Sequence, residues 1–334
     1  MGTDSTQVLF LRKIENIIPA TSSLVNELAD LLELSIDSAY RRLRGETQLT
    51  LDEILIICNH FKISFDTFID VSSNTVTFEY LEMNDKEESF SNYLENLYRN
   101  LQLINGAKQK QIIYACEDIP VFHNYKYPEL AAFKIFYWMR SILNVPSLLT
   151  EKFNSSLVPA HLIEKGRQIV NLYAAIPSIE IWTDTTINST LKQIEFYWEA
   201  GMFTSRETAL KVCDDLRQQI NEIQKQAELG NKYKSEQNVN EFTDNYTVYF
   251  SEIELTNNCV LVNLGETKSV YLSHFTFNTM STTNHSYCNE TERWLNNIIK
   301  KATLISGVSE KLRYQFFRKA FTSIEKLEEK IRNE

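Results

Sequence analysis

Eight glycines in 334 residues, no two within 28 positions of each other, place the tightest limit on what this chain can fold into. Phosphate-wrapping turns of the G-x-G-x-x-G and G-x-x-x-x-G-K kinds need glycines a few residues apart, so that backbone can close on the ligand. That spacing excludes both, and with them a nucleotide-driven engine of either type. It also favours helices, which seldom need the left-handed backbone that glycine tolerates. Hydrophobic residues at 43% and aromatics at 12% describe a chain with a packed core. The length corresponds to roughly two domains.

Uninterrupted apolar runs such as Ile54–Cys58 stay far below the ~20 residues of a membrane-spanning helix, so no membrane partner is expected. Five cysteines (Cys58, Cys116, Cys213, Cys259, Cys288) lie far apart with no Cys-x-x-Cys pair. An odd, scattered set reads as reduced thiols in a cytoplasmic protein.

Along the chain, residues 1–70 read as a compact bundle of short helices. Val8, Leu11, Ile14 and Ile18 share a helical face, and Pro19 ends that helix. Further helices are expected over Leu24–Leu32, Ile36–Arg44 and Leu51–Phe61, with a last turn around Phe65–Ile69. Residues 71–89 form a charged linker. Residues 90–239 read as a helical domain, with an apolar stripe of Phe90, Leu94, Leu97, Tyr98, Leu101 and Ile104. Five of the six prolines fall between 120 and 177, at the ends of helical patterns such as Glu129–Leu143 and Ala160–Ala175. Thr204 with Glu207 forms a capping-box pattern for a long helix to Gly230. Residues 240–334 read as an α+β sensor or dimerisation module. About three antiparallel strands with turns at Asn257-Asn258 and Gly265-Glu266 precede two amphipathic helices parted by Gly307.

The stretch "ELSIDSAYRRLRGE", Glu33 to Glu46, concentrates the chemistry. The chain carries a formal charge of −10, yet Arg41, Arg42 and Arg44 fall within four positions. A first helix bearing Leu28, Ala29 and Leu32 meets a tight turn. Ser35 can cap the second helix by accepting from an orphaned backbone N–H. Ile36, Ala39 and Leu43 are expected to point inward, leaving Asp37, Ser38, Arg41, Arg42 and Arg44 on or near the outer face. A third helix with Leu51, Ile54, Leu55 and Ile57 props the pair up.

These residues resemble the helix-turn-helix of the Cro and lambda-repressor-like class, the XRE family. The likeness rests on Leu28-Ala29-x-x-Leu32, the turn serine Ser35, the terminal Arg44-Gly45, and a Leu51-x-x-Ile54 helix ending in "KISFDTFI". It covers about 50 of the 334 residues. Two positions depart: Glu33 stands where the family usually has glycine, and Arg42 where many members keep an apolar residue. The resemblance implies a second helix, residues 35–44, that enters the major groove of double-stranded DNA. Ser35, Asp37, Ser38, Arg41 and Arg42 would face bases or phosphates, while Tyr40 and Arg44 hold the phosphate backbone and fix register. The implied fold class is mainly α: a lambda-repressor-like bundle, a helical middle region and the small C-terminal α+β module.

A short recognition helix covers a half-site, so a homodimer on a palindromic operator is expected. The region beyond the bundle is large enough to sense a small-molecule or protein effector. The function read from this is a sequence-specific transcriptional regulator, with no catalytic residues, no metal and no cofactor expected. The alternative is an antitoxin-like or protein-interaction module that uses the helices as scaffold. It is favoured by six Lys/Arg against eleven Asp/Glu in residues 1–70.

Other features carry a plainer reading beside a functional one. Ala209, Cys213, Leu216, Ile220, Ile223 and Ala227 alternate steps of four and three, as in a dimer seam or a core helix. His285, Cys288, His274 and Glu290 are metal-capable types without a second paired set. His123 and His161 read as surface or helix-end groups. "VFHNYKYPELAAFKIFYWMR" reads as core or as the lining of a ligand pocket.

Overall fold

The protein is described here by a computed structural model covering residues 5–15, 23–61, 63, 75–232 and 244–334. The chain divides into two compact units, residues 1–77 and 78–334.

The first unit holds α1 (Thr6–Glu15), α2 (Leu24–Leu31), α3 (Ile36–Leu43) and α4 (Leu51–Phe61). Phe10, Leu11, Ile14, Leu28, Ala29, Ala39 and Ile57 form its core. The pairing of α2 with α3 brings two alanines, Ala29 and Ala39, into that core, where larger side chains would hold the helices apart. Glu33, just past the end of α2, adopts a left-handed φ of +53°. There the Leu34 amide donates to the Ala29 carbonyl, the kind of helix stop that usually takes glycine. Gln7 of α1 ties down the far end of α3. Its Nε2 donates to the Arg42 and Thr47 carbonyls, and its Oε1 accepts from the Leu49 amide. Two expectations need correction. Ile36 is 48% exposed, because it opens α3 beside the cap, and Leu51 and Leu55 are also exposed, leaving Ile54 and Ile57 to face the core. Ile18 and Phe65–Ile69 lie outside the described residues.

The second unit is mainly helical around a mixed eight-stranded sheet. Its strands are β1 (Glu79–Tyr80), β2 (Gln111–Cys116), β3 (Ser178–Trp182), β4 (Tyr246–Phe250), β5 (Cys259–Leu264), β6 (Thr267–His274), β7 (Asn278–Thr282) and β8 (Thr303–Leu304). They lie in the order β1-β7-β6-β5-β2-β3-β4-β8. The β2–β3 and β3–β4 pairs are parallel and the others antiparallel. The expectation of about three antiparallel strands is therefore corrected. The helical middle region contributes β2 and β3 to the sheet centre, so the division at 239/240 falls inside one sheet. Both strands are buried on two faces: β2 reads as a near-continuous apolar run, whereas β3 sets the buried Glu180 between two isoleucines.

Alternate residues of β2 enter two separate cores. Ile112, Tyr114 and Cys116 join the larger one, and Ile113 and Ala115 the smaller. The larger core is filled by α5 (Glu87–Gly106), α6 (Pro128–Tyr137), α7 (Ala160–Ala174), α8 (Asn188–Glu199), α9 (Arg206–Leu229) and α11 (Glu310–Asn333). The smaller lies under α10 (His285–Lys301). The cap of α9 is Ser205, which accepts from the Thr208 amide at 3.2 Å, one residue later than the Thr204 pattern suggested. The six seam-spaced residues of α9 are all buried within this unit. They are its core contact, not a surface for a second copy.

Candidate functional site

The arginine cluster separates on folding. Ser35 caps α3, its Oγ accepting from the Ser38 amide at 3.2 Å and donating to the Ser38 hydroxyl at 2.9 Å. Asp37 in the first turn complements the helix dipole. Arg41 and Arg44 have side chains 58% and 66% exposed, with only loose approaches of 3.9 and 3.6 Å to Glu46. The Arg44 guanidinium lies 5.7 Å from the centre of the exposed Tyr40 ring. Arg42 behaves differently. Its Nε and Nη2 donate to Glu53 Oε1 at 3.1 and 2.7 Å, its Nη1 donates to the Ser38 carbonyl, and its side chain is 14% exposed.

Glu53 is itself placed by a reciprocal cap. Its Oε2 accepts from the Thr50 amide, while Thr50 Oγ1 accepts from the Glu53 amide. Burial would raise the Glu53 carboxyl, but Arg42 and Thr50 hold it below the usual range. Arg42 thus fastens α3 to α4, which removes it from the freely exposed set. The Thr50-x-x-Glu53 spacing was the signal that could have revealed this.

A second constellation, missed by the sequence reading, lies in the larger core. Glu180 on β3 is fully buried. Its Oε1 accepts from Tyr173 Oη of α7 at 2.6 Å and faces His123 Nε2 at 2.9 Å; His123 sits on the 3-10 turn Val121–Tyr125. Its Oε2 accepts from Trp182 Nε1 at 2.8 Å and from Tyr246 Oη of β4 at 2.8 Å. Burial pushes this carboxyl up, yet His123, Tyr173 and the nearby Lys232 ammonium outweigh it and hold the value down to about 2. Burial also lowers Lys232 to about 7, against the opposing pull of Glu180. Lys232 Nζ donates to the Ile176 carbonyl at 2.7 Å and Ser178 Oγ at 2.6 Å, and stands 3.6 Å from the Tyr173 ring centre. His123, expected as a surface or helix-end group, lies in the last turn of that 3-10 helix with its side chain 10% exposed and its ring nitrogen against Glu180.

A cavity of about 240 Å³ opens beside this cluster, lined by His123, Tyr173 and Lys232, by Lys126 and Tyr127, and by one face each of α7 and α9. The aromatic stretch 121–140 thus supplies both core and cavity wall. Of the metal-capable types, Cys288 is buried, while His285 sits on the surface against Asn289. Among the described residues no three His, Cys, Asp or Glu are grouped to hold a metal, and no helix is long and apolar enough to cross a membrane.

No protein family, curated protein or solved structure matches the chain.

Proposed function

We propose that the chain is a sequence-specific transcriptional regulator of the Cro/lambda-repressor-like class, acting in the cytoplasm as a homodimer on palindromic double-stranded DNA. The observation that carries this is the exposed face of α3. A capped, eight-residue helix presents Asp37, Tyr40 and Arg41 with Arg44 at its end, and Arg42 and Gln7 hold it rigidly against α4 and α1. Arg41 and Asp37 are assigned to base edges, because an arginine can make a bidentate contact to guanine. Tyr40 and Arg44 are assigned to phosphates. Ser35 and Ser38 serve chiefly as the cap, and Arg42 serves α3 indirectly by fixing its angle. The second unit senses an effector, and no catalytic step is assigned to it.

Selection of the full-length protein on a random duplex pool tests the reading. It predicts an enriched palindrome whose half-site separation reports the spacing of the two α3 helices. A second reading, a protein-interaction module built on the same helices, draws on the acidic balance of residues 1–70. It predicts no enriched sequence at any moderate salt concentration.

A further inference from the structure

We propose that a second cavity, between α5 and the sheet, binds an uncharged, flat compound of one or two fused rings that carries a hydrogen-bond acceptor. This cavity has a volume of about 350 Å³ and shares only Phe122 with the lining of the one beside Glu180. Its floor follows from strand register. Tyr114 of β2 pairs with Val260 of β5, and Val260 with Tyr271 of β6, so the three stand in one row on one face of the sheet. Two residues along, Ile112, Val262 and Ser269 form a second row on that face. Helix α5 makes the roof, with Tyr93, Leu97, Asn100 and Ile104 at alternating steps of four and three.

The chemistry lies in the tyrosine hydroxyls. Tyr93 and Tyr114 are each only 5% exposed, and both line the cavity, as does the partly buried Tyr271. None of the three hydroxyls has a hydrogen-bond partner among the described residues, yet none is sealed from water. The oxygens that are both sealed and unpartnered belong to Asn124, Tyr125, Gln219 and Gln226. On side chains as buried as Tyr93 and Tyr114, an oxygen that water reaches opens into the cavity the ring lines. Packing holds the two rings in place, Tyr93 edge-on to Phe277 at 5.0 Å and Tyr114 edge-on to Phe122 at 6.1 Å. Burial raises both phenols above their ordinary value, so each remains an O–H.

Phenol donors converging on an otherwise apolar space call for an acceptor. Charge then excludes ions. Among the described residues no Lys, Arg or His lines the cavity, and its one ionisable carboxyl, Glu79, stands exposed at the end of the Tyr271–Ser281 row. A ligand carboxylate or phosphate would enter without a counter-charge, and a ligand ammonium would offer the phenols no acceptor. A neutral carbonyl or hydroxyl meets both conditions. Shape selects the frame that carries it. Strands lie about 4.8 Å apart, so β2 to β6 spans about 10 Å, and the step between the two rows adds about 7 Å. That footprint matches one or two fused rings lying on the sheet beneath α5. A role for such a ligand as effector rests on the regulator reading above, whereas its binding does not, so the test contains no DNA.

Isothermal titration of the full-length protein with coumarin, chromone and 2-naphthol decides the matter. The comparators are naphthoate and naphthylmethylammonium, which charge the same frame, with octanol as a chain and glucose as a polyol. At least one of the three neutral bicyclic compounds is expected to bind one to one with a Kd of about 1 mM or tighter, and about tenfold tighter than any comparator. Tyr93→Phe/Tyr114→Phe removes two hydroxyls that the fold itself does not bond, so it should melt as the wild type does while weakening binding about tenfold. Ser269→Trp, which fills the floor, should abolish binding. Should a variant fail to fold by circular dichroism, the selectivity of the wild-type protein across the panel decides alone. Absence of binding by all three bicyclic compounds, equal or tighter binding of a comparator, or full affinity in either folded variant overturns the proposal.

Discussion

The outer face of α3 and the Glu180 cluster use their polar groups in opposite ways. Arg41 and Arg44 stand in solvent at loose distances from Glu46, where an ion pair contributes about 0–1 kcal/mol. Glu180 has no exposure, and four partners surround its carboxylate within 2.9 Å. In that low-dielectric setting each partner left unpaired is costly. A surface cluster that adds almost nothing to stability is free to serve binding, while a buried one is committed to the fold. Arg42 shows that sequence adjacency does not assign a residue to either kind. It sits between two exposed arginine positions and belongs with the buried ones, because Glu53 is within reach on α4.

Substitutions at the two regions should therefore separate stability from binding, most sharply at Glu180. Glu180→Ala strands Tyr173, Tyr246, Trp182 and His123, and should cost the second unit about 3–5 kcal/mol or prevent its folding. Urea unfolding followed by tryptophan fluorescence measures this; a loss below 1 kcal/mol would dissolve the contrast.

The same carboxylate sets an acid dependence. Its folded value of about 2 lies below the ordinary 4.5, so the fold favours the ionised form. The stabilisation is fully present above about pH 4.5 and is lost as pH falls toward 2, at most about 3 kcal/mol. Stability measured between pH 3 and pH 6 should fall with acid in the wild type and be visibly flatter in Glu180→Gln.

Packing beside the Glu180 cavity gives the next effect. A Cβ on Gly166 of α7 would lie 2.8 Å from the buried Tyr125 side chain, so Gly166→Ala should cost about 1–3 kcal/mol in the same assay. Arg42→Ala leaves Glu53 without its partner and should cost the first unit about 1–2 kcal/mol, whereas Arg41→Ala should leave the melting temperature unchanged. Equal effects of the two would erase the distinction drawn between them. Smallest is Glu33→Gly: relieving the left-handed φ of +53° at a non-glycine residue should stabilise by about 0.5–1 kcal/mol net of glycine's entropy.

How legible each region was follows from how far apart its partners lie in the chain. The helices of the first unit, the Ser35 cap and the exposed positions of Arg41 and Arg44 all arise within a few residues of one another, and local pattern was enough to place them. Glu33 is the odd residue of its turn in the sequence, and its positive φ gives that oddity a physical form. The Glu180 cluster draws on residues 123, 173, 180, 182, 232 and 246, which only the sheet brings together. A lone histidine beside Pro120 and a glutamate between two isoleucines carry no local sign of that meeting. The central strands were hidden for a related reason. "QIIYAC" is an apolar run without the alternation that marks β4 to β6 as extended, and "SIEIW" is only five residues long, with a buried glutamate that reads as solvent-facing.

The most direct test of the central claim, that the exposed face of α3 reads DNA while Arg42 holds it in place, is fluorescence anisotropy on a selected duplex. Wild type, Arg41→Ala/Arg44→Ala and Arg42→Lys would be titrated at several salt concentrations, each with a parallel melting curve. The account predicts that the double variant melts as the wild type does, loses sequence preference, and lowers the salt slope by about 2 per protomer. Arg42→Lys should keep the preferred sequence while melting lower. Full preference in the double variant, or loss of preference in Arg42→Lys at unchanged melting temperature, would contradict it.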